Sequence, residues 1–202
     1  MKYIVFILLI SLNILFCSCI RVNPQYAGIE GIDTKYTLNE INFSQNEVYM
    51  KDSITLLYRM DKKVLQSIVS HSQKQFFLLY CFDLFCSSEE CRYYDTVLQQ
   101  FYEDKDVALV LFTADNPLNK ISIEKALEFY RYPVFMLDCY RYGNERNLPP
   151  EIRFMSFLSE ICPQTSLNTS VNSFILLDGN LQTLLEGQYN SETKQKIMNL
   201  IQ

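Results

Sequence analysis

The stretch Phe76-Phe77-Leu78-Leu79-Tyr80-Cys81-Phe82-Asp83-Leu84-Phe85-Cys86-Ser87-Ser88-Glu89-Glu90-Cys91-Arg92-Tyr93-Tyr94-Asp95 decides the reading of this chain. Residues 76–82 form an unbroken apolar run of strand length, rich in aromatics. A strand with no polar alternation is one buried on both faces of a sheet. A helix start follows: Ser87 or Ser88 can cap it, and Glu89 and Glu90 put negative charge in its first turn. Cys86 stands at the junction. There the free N–H groups and positive end of a helix can lower a thiol pKa and favour the reactive thiolate. The helix is expected over 87–102, with Cys91, Tyr94, Val97, Leu98 and Phe101 on one stripe.

Outward from this junction the chain alternates strands and helices. Upstream, Val64, Leu65, Ile68 and Val69 predict a short helix over 62–70, and residues 47–59 read as a strand pair or an irregular lead-in. Downstream, 106–113 is a second buried strand, ended by Asn116-Pro117. Residues 121–130 read as a helix, and Pro133 opens a third strand over 134–138, a position where a strand tolerates proline. Residues 142–150 read as a loop. Pro149-Pro150 then starts a helix through Ile152, Phe154, Met155, Leu158 and Ile161. A strand over 171–177, the turn signal Asp178-Gly179-Asn180, a returning strand over 181–185 and a helix over 191–201 close the chain. Alternating βα units predict an α/β fold: a central, mostly parallel sheet with an antiparallel edge hairpin and helices on both faces.

This order resembles the thioredoxin-like fold. Ser173-Phe174-Ile175-Leu176-Leu177-Asp178-Gly179-Asn180-Leu181 is similar to the "T-F-x-x-I-D-x-x-G" strand and turn of tethered thioredoxin-like reductases and peroxiredoxins. Tyr132-Pro133-Val134-Phe135-Met136-Leu137-Asp138 resembles their "F-P-V-L-x-D" strand. The resemblance covers roughly residues 75–200 and implies thiol–disulfide chemistry at Cys86. Glu89 stands where the reductases carry the second Cys of Cys-x-x-Cys. The place of their cis-proline falls at about Asn172. Separately, Cys86-Ser87-Ser88-Glu89-Glu90-Cys91-Arg92-Tyr93-Tyr94-Asp95 is similar to the "C-T-x-E-x-C-x-F-R-D" segment of bacterioferritin-comigratory peroxiredoxins. That resemblance implies a peroxidatic Cys86 resolved by Cys91. Asp83 replaces the family's Thr, and its Arg has no counterpart in residues 166–174.

Geometry bears on the pair. Residues five apart in an intact helix lie roughly 8 Å apart, on different faces, and a disulfide needs Cα atoms within about 7 Å. Cys91 reaches Cys86 only if Cys86 lies outside the helix or the first turn unwinds. Otherwise Cys91 packs on the apolar stripe, as free Cys often does. Asp83, Glu89 and Glu90 oppose a thiolate at Cys86, and Arg92 favours it.

The amino terminus carries a targeting signal. Met1-Lys2 precedes an apolar run over 3–16, too short to span a membrane comfortably and suited to a signal-peptide core. Leu15-Phe16-Cys17-Ser18-Cys19 resembles a bacterial lipobox, which implies cleavage before Cys19 and acylation of that residue. The expected organisation is a signal peptide at 1–18, a tether at 19–45, and a thioredoxin-like domain with an N-terminal extension at 46–202. The implied location is the bacterial cell envelope, with the membrane bound through the lipid on Cys19. An envelope protein or a thiol or disulfide substrate is the expected partner.

The net charge of −5 with no basic block argues against nucleic acid. Setting aside Cys17 and Cys19, the cysteines of the domain are Cys81, Cys86, Cys91, Cys139 and Cys162, an odd number that cannot all pair within one chain. Cys81 reads as core, while Cys139 and Cys162 could pair in an oxidising compartment. With His71 the single histidine, a zinc site is poorly supported, and no metal or cofactor is expected. His71 reads as a surface residue. Tyr93, Tyr94, Tyr102, Tyr130, Tyr132 and Tyr140 read as packing residues. The competing function is a non-catalytic thioredoxin-fold module that binds another envelope protein.

Overall fold

The computed structural model describes residues 57–84, 98, 102, 105–115, 134–143, 148–170 and 172–201. The expected leader, lipid site Cys19, tether, the 121–130 helix and both Cys86 and Cys91 lie outside the described residues. The described part is α/β. Its strands are β1 (Leu57–Met60), β2 (Phe76–Cys81), β3 (Val107–Thr113), β4 (Val134–Leu137), β5 (Ser173–Asp178) and β6 (Thr183–Gln188). They form one mixed sheet in the order β1-β4-β3-β2-β5-β6. β1, β4, β3 and β2 run parallel. β5 lies antiparallel to β2, and β6 antiparallel to β5.

The helices are α1 (Lys62–His71), α2 (Cys139–Tyr142), α3 (Pro150–Ile161) and α4 (Ser191–Leu200). Local chemistry sets their starts. The Asp61 carboxylate accepts the Val64 amide at 2.8 Å and caps α1. Pro150 sits in the first turn of α3, where its missing N–H costs nothing. Asn190 and Thr193 exchange side-chain and backbone hydrogen bonds as a capping box on α4.

Alternate residues of β2 enter two cores, which is why the run is apolar throughout. Phe77, Leu79 and Cys81 join Leu65 and Ile68 of α1 and Phe154, Phe157 and Leu158 of α3. Leu78 and Tyr80 join Ile197 of α4 and the helical residues Leu98 and Tyr102 on the other face. Helices therefore cover both faces. On the α3 side aromatic rings set the packing: Phe112 meets Phe157 edge-on with centroids 5.6 Å apart, and Tyr142 meets Phe157 likewise at 5.6 Å.

Several expectations change. Residues 57–60 are a strand on the sheet edge, paired with β4. The loop expected from 142 starts one residue later, because Asp138 accepts the Tyr140 amide at 3.0 Å and caps a short helix through Tyr142. Tyr142 is buried, whereas Tyr140, read as packing, is 64% exposed. On α3 the inward face is Arg153, Phe154, Phe157 and Leu158, while Ile152 and Met155 are exposed. The hairpin turn runs two residues longer than expected. Asp178 accepts the amides of Asn180 and Gln182, both at 2.8 Å, and Leu181 takes a positive φ of 62°. β6 therefore starts at Thr183.

Candidate functional site at the end of strand β2

β2 lies in the interior of the sheet, with parallel β3 on one side and antiparallel β5 on the other. Its pairing with β3 continues past Cys81, as the Phe82 amide donates to the Phe112 carbonyl at 3.0 Å. The chain is then held by a carboxylate. The Leu84 amide donates to Asp115 Oδ2 at 2.9 Å, in a buried position just past the end of β3. Thr113 Oγ1 donates to the same oxygen at 2.6 Å and accepts the Asp115 amide at 3.2 Å. Asp115 is 8% exposed and Thr113 fully buried.

Beneath this point lies Arg153 of α3, also fully buried. Nη1 donates to the Ala114 carbonyl at 2.8 Å, Nε to Gly143 at 3.1 Å and Nη2 to Leu148 at 2.9 Å. One guanidinium thus joins the end of β3, the end of α2 and the segment entering α3. Its fixed fork of donors suits three carbonyls at different angles.

Burial pushes the Asp115 carboxyl up to about 6, and the charge of Asp83 adds to the effect. The hydrogen bonds from Thr113 and Leu84 and the charge of Arg153 work against it. Burial foremost, then the charge of Asp115, also pushes the Cys81 thiol well up. Cys81 is therefore a neutral core thiol, as its place in an apolar strand implied.

On the β5 side, Ser173 pairs with Cys81, and Asn172 precedes it with a positive φ of 55°. Asparagine is one of the few residues that adopt this conformation at low cost. Asn172 Oδ1 accepts the Tyr80 hydroxyl at 2.9 Å, and its carbonyl accepts the Tyr189 amide at 2.8 Å. Tyr189 and Tyr102 bring their hydroxyls within 3.3 Å, and burial pushes both up. Where the resemblance implies a cis-proline, a tyrosine–asparagine contact fixes the start of β5.

The remaining thiols stand apart from this site. Cys162 Sγ donates to Glu186 Oε2 at 3.5 Å and accepts from Thr183 Oγ1 at 3.1 Å, both on β6. Cys139 follows β4. Cys139 and Cys162, which could have paired, are both buried and are not joined by a disulfide. His71 is exposed at the last turn of α1, its Nδ1 2.8 Å from the Ser67 carbonyl. Among the described residues no group of three His, Cys, Asp or Glu side chains is arranged to hold a metal ion, and no helix is long and apolar enough to cross a membrane.

Asp115 and Arg153 are the site residues that sequence reasoning missed. The available signals were Thr113-Ala114-Asp115 directly after a buried strand and a cation within the apolar run Ile152-Arg153-Phe154. No protein-family model and no curated protein matches the sequence.

Proposed function

We propose that this chain is a lipid-anchored protein of the bacterial envelope whose thioredoxin-like domain performs thiol–disulfide exchange through Cys86, with Cys91 as its partner. One observation carries the reading. β2 is an interior strand flanked by parallel β3 and antiparallel β5, and it ends at a buried polar anchor two residues before Cys86 in the sequence. The carboxyl ends of such strands are where open α/β sheets place their chemistry. The antiparallel β5–β6 pair and the helices on both faces agree with the architecture that the thioredoxin-like resemblance implies. Anchoring at Cys19 and removal of residues 1–18 rest on the lipobox resemblance. The bacterioferritin-comigratory resemblance makes Cys86 a peroxide-reducing thiol as a variant of the same reading.

A second reading is a non-catalytic thioredoxin-fold module that binds another envelope protein. It is favoured by the side chains near the end of β2: Asp83 and Asp115 are acidic, and Arg153 donates to three carbonyls. Glu89 in place of a second cysteine and Asn172 in place of the cis-proline point the same way.

The test is the pH dependence of Cys86 alkylation in the full chain, with Cys86→Ser and Cys91→Ser as controls. A thiolate titrating well below the free value of about 8.5, and a Cys86–Cys91 bond on mild oxidation, are the results expected of thiol chemistry. A slow thiol of ordinary pKa that forms no bond to Cys91 selects the binding module.

A further inference from the structure

We draw no further inference here: the strongest candidate, the side-chain cluster of Cys162, Thr183 and Glu186 where the end of α3 meets β6, rests on a lone buried cysteine whose thiol is hydrogen-bonded to both neighbours, with nothing among the described residues that points to a ligand.

Discussion

At the scale of single residues, the least expected feature is a fully buried arginine on a helix that reads as apolar. The stripe expected for α3 ran through Ile152, Phe154, Met155, Leu158 and Ile161, yet the helix turns Arg153 and Phe157 inward and leaves Ile152 and Met155 exposed. Periodicity weighs side chains by hydrophobicity and cannot foresee that three carbonyls from distant segments converge on one guanidinium. The energetic consequence is direct. Removing a buried donor strands its acceptors without water, and breaking such a polar group costs about 3 kcal/mol. Arg153→Met is therefore expected to lower the urea midpoint strongly. Arg153→Lys should recover only part of the loss, because a single ammonium cannot reach carbonyls on three segments. Equal stability of wild type and Arg153→Met in urea unfolding would sink this account. Asp115 was illegible for a related reason. Its role depends on Leu84, which is distant in sequence and becomes a neighbour only when β2 and β3 pair.

At the scale of elements, apolar runs with clear punctuation were legible. Residues 76–82, 106–113 and 134–138 became β2, β3 and β4 within a residue at each end, because strands buried on both faces leave an unambiguous apolar signature. Ends governed by side-chain caps were less so. Asp138 reads as the last residue of a strand, but its carboxylate caps α2 and moves the next turn into a helix. Asp178 likewise binds two amides and extends the hairpin turn to Gln182. The end of α2 depends on Gly143, whose φ of 129° is open to glycine and strained for other residues. A Cβ there would also collide with Leu148 Cδ2. Gly143→Ala is expected to cost about 1–3 kcal/mol by strain and displacement of Leu148, and to loosen the Leu148 carbonyl that Arg153 binds. Thermal unfolding checks it, and a variant as stable as wild type would show that this corner relaxes freely. Glu186 ties another junction. It accepts from Thr165 Oγ1 at 2.7 Å and the Ser166 amide at 2.8 Å, fastening the segment after α3 to β6. Those bonds hold its carboxyl below the ordinary range despite partial burial.

At the scale of the whole molecule, the alternating elements made an α/β sheet legible, while the pairing of thiols was not, since the packing of the helix ends that carry Cys139 and Cys162 is not written in local sequence. Cys139 opens α2 and Cys162 ends α3, and no disulfide joins them. Peptide mapping of the non-reduced full chain is expected to find no bond between them. Alkylation should leave Cys81, Cys139 and Cys162 untouched when native and modify all three in urea. The same global view fixes the pH dependence of stability. Asp115 is lifted from 3.8 to about 6 in the folded chain, so folding takes up a proton between these values. Its contribution is therefore greatest in mild acid and is lost as pH rises through about 6, a change of roughly 3 kcal/mol at most. Glu186 has the opposite sign: its folded value is depressed, so its contribution is present above the unfolded carboxylate range and is lost as pH falls through the folded value. The two are separated by substitution. Asp115→Asn should flatten the part of the stability profile between about pH 4 and 6.5 and leave the acid limb governed by Glu186 in place. Glu186→Gln should weaken that acid limb and leave the decline above pH 4 in place. Urea midpoints of wild type and both variants across this range decide the matter. Parallel profiles for wild type and Asp115→Asn would mean that the buried carboxyl binds its proton no more tightly in the folded chain than in the unfolded one.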